Sequence, residues 1–252
     1  MADKAWFKDW FNSPYYHLLY QHRDENEAEQ FIKTLISYLK PEKGATMLDI
    51  ACGKGRHSMA LAEMGFDVTG IDLSEASIAE AKLDESDRLH FYQHDMRRGF
   101  RINYFDFAFN FFTSFGYFKT RREHDSAIRM MADSIKPGGI LVIDYLNVHF
   151  VESQLAPIVT TEVEEVKFHI SKWQTEAHFF KQIQITDQEH SAPRHLYTER
   201  VAKFSLGDFN DMLSYQHMQI EEVFGNYQLG HYNVKTSPRM IIVAKKMQEK
   251  LI

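Results

Sequence analysis

The run Leu48-Asp49-Ile50-Ala51-Cys52-Gly53-Lys54-Gly55-Arg56-His57 constrains this chain more than any other segment. Met47 to Ile50 reads as a short buried strand, and the small residues at 51, 53 and 55 allow a tight turn into a helix running to about Met64. Such a turn lets the backbone approach a ligand closely and offers it the free amides of the following helix. Phe66 to Ile71 is the next strand; it ends at Asp72, and Ser74 caps the helix behind it. Spacing weakens a dinucleotide ligand, leaving a dehydrogenase as the remaining enzyme alternative, and removes a phosphate loop. A dinucleotide fingerprint would need glycines where Ala51, Gly53 and Arg56 stand, and a phosphate loop would need Ser or Thr after Lys54, where Gly55 stands.

The rest of the chain repeats the strand-then-helix grammar. Leu89 to Gln93 is expected as a third strand and Phe105 to Phe111 as a fourth, apolar on both faces as in a covered parallel sheet. A helix from about Arg122 to Ile135 ends at Lys136-Pro137-Gly138-Gly139, a turn before a fifth strand, Ile140 to Tyr145. Between about Thr160 and Phe204 the hydrophobic period shifts to two, predicting an antiparallel insertion of about 45 residues between the fifth strand and the last helix. Ser205 then opens that helix, and strands near Gln219 to Phe224 and Met240 to Ala244 finish the fold. The expectation is α/β: a doubly wound seven-stranded sheet, residues 46–158 and 205–252, with an N-terminal helical segment or lid at 1–45 and the β insertion at 159–204. A ligand belongs over the carboxyl ends of its strands.

Composition narrows the partners. With 29 basic against 35 acidic residues the net charge is −6, so no surplus of cations meets a nucleic-acid backbone, and DNA is not expected as a partner. A single cysteine excludes an intramolecular disulfide and a cysteine-based zinc site. The apolar runs reach strand length only, so neither a membrane nor a signal peptide is read, and a cytoplasmic location is expected. His90 and His94, four apart on a strand, do not converge on a metal, and none is expected.

Taken together, the glycine turn, Asp72, Asp95 and the Pro-Gly-Gly turn resemble the class I S-adenosylmethionine-dependent methyltransferases of the small-molecule type, from about Tyr15 to Ala244. The resemblance implies a Rossmann-like sheet and S-adenosylmethionine as methyl donor, with S-adenosylhomocysteine as product. It implies that the loop from Asp49 through Ala51, Cys52, Gly53 and Gly55 holds the amino-acid end and ribose of the donor. It further implies that Asp72 accepts from both ribose hydroxyls, beside Leu73, and that Asp95 and the Met96 backbone flank the adenine. Asn110, Tyr15 and Tyr16 are added as donor contacts, the two tyrosines either anchoring the first helix or covering the methionine end. Ala51 stands where many members have glycine.

Thr113, Tyr117, Arg194, Tyr197 and Arg200 are expected to line the acceptor site, and His57, Tyr117 or His149 to serve as a base if the acceptor is a hydroxyl. Cys52 sits inside the cofactor turn and reads as a packed thiol rather than a nucleophile. His57, in the first turn of a helix, is expected to have a lowered pKa from the positive end of the helix dipole. No Asn-Pro-Pro-Tyr or Asp-Pro-Pro-Tyr follows the fourth strand, which argues against a DNA-amine or glutamine acceptor. The expected activity is in-line methyl transfer to N or O of a small molecule. The alternatives are a macromolecular acceptor such as tRNA or protein, or a donor-binding regulatory module without turnover. The insertion either roofs the acceptor site or joins two copies as a homodimer.

Overall fold

In a computed structural model, residues 6–20, 25–187 and 195–248 are described. Two short helices, α1 (Trp6–Phe11) and α2 (Pro14–Tyr20), precede α3 (Glu25–Leu39). The apolar stripe of α3 buries Phe31, Ile32 and Leu35 almost completely. Then β1 (Thr46–Ile50), α4 (Arg56–Glu63), β2 (Asp67–Asp72), α5 (Glu75–Ala81), β3 (Leu89–Gln93), β4 (Phe105–Asn110), α6 (Arg121–Ser134) and β5 (Ile135–Leu146) follow in alternation. Ser74 caps α5 by accepting from the Ser77 amide, and a Thr120/Glu123 capping box opens α6. After α7 (Val148–Ser153) come β6 (Ile158–Val163), β7 (Val166–Gln174), β8 (His178–Asp187) and β9 (His195–Ala202). Last are α8 (Leu206–Ser214), β10 (Met218–Phe224) and β11 (Arg239–Lys246).

Seven strands form one sheet in the order β10-β11-β5-β4-β1-β2-β3. β5, β4, β1, β2 and β3 run parallel, while β11 and β10 close the edge antiparallel. The doubly wound seven-stranded sheet expected from the sequence is therefore the fold. Because β1 has β2 on one side and β4 on the other, the chain leaves its carboxyl end in opposite directions there, and a crevice opens between the loops. The Pro-Gly-Gly turn takes a different form from the expected one. β5 begins at Ile135, paired with Phe105, and resumes pairing at Ile140 opposite Phe107, so residues 136–139 bulge out opposite Asp106. A Cβ on Gly139 would stand 2.7 Å from the Asp106 carbonyl, which explains the glycine.

The insertion is a four-stranded antiparallel meander, β6-β7-β8-β9. One face, with Phe168, Ile183 and Ile185, packs on α1 and α2 around the fully buried Trp10. Its last strand is fastened to the main sheet, since the Tyr145 hydroxyl donates to the Ala202 carbonyl at 2.5 Å and the Ala202 amide to the Gly116 carbonyl at 2.8 Å. The meander and the two first helices thus lie over the carboxyl-end crevice.

The closest packing in the main sheet is under the glycine turn. A Cβ on Gly70 would stand 2.6 Å from the Phe91 ring and 2.9 Å from the Cys52 sulfur, and one on Gly55 would stand 2.4 Å from the same ring. Gly70→Ala is accordingly expected to lower stability by about 1–3 kcal/mol in urea unfolding. Adding Phe91→Leu, which withdraws the ring, should recover part of that loss, and strictly additive effects of the two changes would contradict this packing.

Candidate active site

The turn after β1 takes left-handed backbone at Ala51 (φ 62°), Gly53 (φ 56°) and Gly55 (φ 86°). Only Ala51 carries a side chain in that conformation, at a steric cost that glycine would avoid. Asp72, at the end of β2, ties this turn to the next one. The Gly53 amide donates to its Oδ2 at 2.9 Å and the Ser74 amide to its Oδ1 at 2.7 Å. The Leu73 amide bonds the same carboxylate, and of its roughly four acceptor positions at least one is left for a hydroxyl. Asp72 therefore both organises the loops and keeps its ligand-binding capacity.

Asp49 lies beneath, fully buried, with the Ser58 hydroxyl donating to its Oδ2 at 2.7 Å. Burial, reinforced by the nearby charge of Asp72 and opposed by Ser58, raises the Asp49 pKa from 3.8 to about 6. Burial also raises Asp72, against the pull of the amides that bond it. Two carboxylates so placed favour a cationic or hydroxyl-rich ligand.

Both belong to a cavity of about 820 Å3, large enough for two small molecules together. Ala51, Cys52, Gly53, Leu73, Asp95 and Met96 line it from the sheet side. The Asp95 carboxylate is gripped by Arg97, whose Nε and Nη2 donate at 3.0 and 2.7 Å. Burial works against its charge, yet these bonds hold its pKa below the usual carboxylate value. Arg97 also donates to Glu123 at 2.7 Å, linking the loop after β3 to the start of α6. Cys52 is buried and its thiol pKa is pushed up by desolvation first and then by Asp49, so it is a packed thiol and no nucleophile.

The opposite wall is aromatic. Tyr117 meets Trp6 and Phe11 at 5.4 Å each, Phe11 meets Tyr16 at 5.0 Å, and Tyr16 meets Tyr20 at 4.9 Å. Tyr16 and Tyr117 line the cavity, whereas Tyr15 packs toward the meander. Gly55 is buried at the foot of α4 against Phe91.

Several expected site residues fall elsewhere. Asn110 is buried, its amide donating to the Ile50 carbonyl at 3.0 Å, so it fastens β4 to β1 and does not line the cavity. Thr113 accepts from Arg239 at 2.8 Å and is likewise behind the wall. Asp144 accepts from the Phe112 amide at 2.9 Å and from Arg239 Nε at 2.8 Å, holding Phe112 and Thr113 in left-handed backbone at φ 56° and 59°. His149 sits exposed on α7 beside Glu152 at 3.7 Å and does not line the cavity. Arg194 lies outside the described residues.

His57 does line the cavity, stacked on Phe112 at 5.0 Å, with its Nε2 buried and unbonded. Its pKa falls to about 3, lowered as expected, with burial the largest cause and the charge of Arg56 the next. An imidazole this acidic is a poor proton acceptor at neutral pH.

Strand parity corrects the roof. On β9 the residues Tyr197, Glu199 and Val201 share one face and Arg200 has the other, paired across from Phe180 on β8. Arg200 therefore cannot join Tyr197 in one site. Tyr197 packs against Trp10, ring centroids 4.5 Å apart and tilted by 36°, and the residue that reaches the cavity is Glu199, which was not singled out from the sequence. Its Oε1 accepts from Trp10 Nε1 at 2.7 Å and from the Tyr20 hydroxyl at 2.8 Å. The alternation along β9 was the signal for it. Among the described residues no His, Cys, Asp and Glu cluster could hold a metal, and no helix is long and apolar enough to cross a membrane.

The Asp49 pKa carries a stability consequence. A carboxyl whose pKa is raised on folding binds more protons in the folded state between about pH 4 and 6, so its contribution declines as pH rises through that window. Asp49→Asn should therefore stabilise the ligand-free protein at pH 7.5, by up to about 3 kcal/mol, and give no gain near pH 4. Calorimetric melting at the two pH values checks this; an equal gain at both would contradict the buried charge.

Comparison with known proteins agrees with this geometry. Residues 41–198 match the family model described as a methyltransferase domain. The Bacillus subtilis protein YqeM is 43% identical over 110 residues, 41% of this chain and 43% of that one. The dTDP-3-amino-3,4,6-trideoxy-alpha-D-glucopyranose N,N-dimethyltransferase of Streptomyces venezuelae is 34% identical over 133 residues, 51% of this chain and 54% of that one. The chain thus spans about half the length of these two relatives. In fold it is similar to a S-adenosylmethionine-dependent methyltransferase from Clostridium acetobutylicum. That match has a TM-score of 0.77 at 16% identity and covers 93% of this chain and 96% of the other. With the family model matched over more than half its length, the chain belongs to the methyltransferase-domain family.

Proposed function

We propose that the protein transfers a methyl group from S-adenosylmethionine to a nitrogen or oxygen of a small-molecule acceptor. The observation that carries this reading is the placement of Asp72: a carboxylate at the end of β2, facing a cavity of about 820 Å3 and held by backbone amides of the two turns it joins. That acceptor fits a ribose hydroxyl, and the buried Asp49 beneath favours the cationic end of the same molecule. When bound, S-adenosylmethionine would supply an electrophilic methyl group on a sulfonium.

The chain's own contribution is alignment. The aromatic wall from Tyr117 to Tyr20 and the meander above it cover one side of the cavity, and orientation in such a pocket accounts for a large part of a displacement barrier. A neutral amine needs no protein base, which accords with His57 being a poor one and His149 lying outside the cavity. For a hydroxyl acceptor Tyr117 is the remaining candidate. Nitrogen is supported further by the Streptomyces venezuelae relative, whose name describes dimethylation of an amino sugar nitrogen. The net charge of −6 speaks against a nucleic-acid acceptor.

Asp72→Ala should weaken donor binding by about 2–4 kcal/mol, roughly thirty- to several-hundred-fold, through loss of charge-assisted bonds. Asp72→Asn, which keeps the shape and one acceptor, should fall in between. Calorimetry with S-adenosylhomocysteine measures both, and unchanged affinity in the alanine variant would overturn the assignment. Turnover is read by supplying labelled donor with a metabolite pool and searching by mass for products heavier by one methylene. Donor binding with no such product would instead indicate a donor-binding module.

A further inference from the structure

Behind the roof lies a second, smaller cavity of about 330 Å3, within the range of small-molecule sites. One wall comes from α7 and the segment after it, with Phe150, Val151 and Leu155, and the other from the meander, with Lys172, Phe179 and Val201. Glu199 lines both this cavity and the main one, so the two adjoin at its side chain.

Pairing across the meander sets the charges here. Lys172 on β7 stands directly opposite Lys181 on β8, and Lys181 directly opposite Glu199 on β9. Directly paired residues project from the same face of a sheet, so two ammonium groups and one carboxylate form a row across it. Glu199 is already engaged: it pairs with Lys181 at 3.9 Å and accepts from Trp10 and Tyr20. The Lys181 ammonium also donates to the Tyr20 hydroxyl and lies over that ring. The carboxylate of α7, Glu152, is bonded by Lys203 at 2.7 Å. Lys172 is half-buried and, among the described residues, makes no ion pair and no side-chain hydrogen bond. One positive charge of the row is therefore left over, beside rings and branched aliphatic side chains. A half-buried ammonium in that setting is the chemistry that recognises an acidic group on a compact, partly apolar molecule.

Resting on the methyl-transfer reading, we infer that the smaller cavity is the outer chamber of the acceptor site and that Lys172 is a specificity-determining residue, binding a carboxylate or phosphate carried by the methyl acceptor. The body of the acceptor then lies along Phe179 and Val201 towards Glu199, and its reacting atom enters the main cavity past that residue. Lys181 and Glu199 offset each other between the two chambers, which leaves the acceptor's own charge to Lys172.

Lys172→Gln tests this, because the amide keeps a polar end of similar reach while the charge is gone. The probes are 3-phenylpropionate, phenyl phosphate and the neutral 3-phenylpropanamide, measured by ligand-detected NMR at pH 7.5 with S-adenosylhomocysteine present. The unaltered protein should bind at least one acid about tenfold more tightly than the amide, the tighter acid identifying carboxylate or phosphate, and the variant should bind all three alike. Equal binding of acids and amide by the unaltered protein would overturn the inference, as would a preference that survives in the variant. Because Lys172 stands opposite a like charge, its replacement should leave the melting temperature unchanged or raised. A lowered melting temperature would show that the ammonium already has a partner and would also overturn the inference. The product found in the labelled-donor screen should itself be acidic and should displace the bound probe. A neutral product, or one that leaves the probe in place, would overturn the assignment of this chamber to the acceptor. Failure to bind S-adenosylhomocysteine, or to form any product, would count against the methyl-transfer reading itself, and the acid preference is read independently of both.

Discussion

Asp72 couples the two loops from which the rest of the site is built. Its oxygens take an amide from the turn after β1 and amides from the turn after β2, so a single carboxylate sets the distance between the two. The tight contact of Gly70 and Gly55 with Phe91 brings those loops close enough for this to happen. Without small residues at both positions the strands could pair, but the turn would be lifted off the sheet and Asp72 would lose a partner.

The cost of the arrangement is buried negative charge. Asp49 and Asp72 are both pushed toward protonation by desolvation, which for Asp49 outweighs the hydrogen bonds from Ser58 and the charge of Arg56. A site that is electrostatically uncomfortable when empty binds cations better than a neutral one, at the expense of stability in the ligand-free state. The second charged feature, the Asp144–Arg239 pair, acts behind the wall. It stabilises the left-handed pair Phe112-Thr113 and so places the Phe112 ring against His57.

Over this floor lie two elements that are distant in sequence. Trp10 is separated from Glu199 by 189 positions, and Tyr20 by 179, yet all three meet in one set of hydrogen bonds. The roof is therefore assembled by the first helices and the last strand of the meander jointly, and the cavity exists only where they close on the main sheet.

Much of the fold was legible in residue order. The period of the apolar residues, the capping serines and threonines, and the spacing of Ala51, Gly53, Gly55 and Asp72 are local properties, and they determined the strands, the helices and the ligand-binding turn. What residue order left undetermined was the direction of individual side chains. Arg200 and Tyr197 look equally available along the strand, but β pleating sends them to opposite faces and brings Glu199 inward instead. Asn110 and Thr113 look like pocket residues until Ile50 and Arg239 claim them, and the acidity of His57 follows from burial among rings far from it in the chain. The sequence by itself determined the scaffold and the carboxylates of its turn, because those depend on neighbours a few positions away. Only the tertiary structure decided what the roof of the cavity contains, because that end is made by groups well over a hundred residues apart whose meeting depends on packing across the whole molecule.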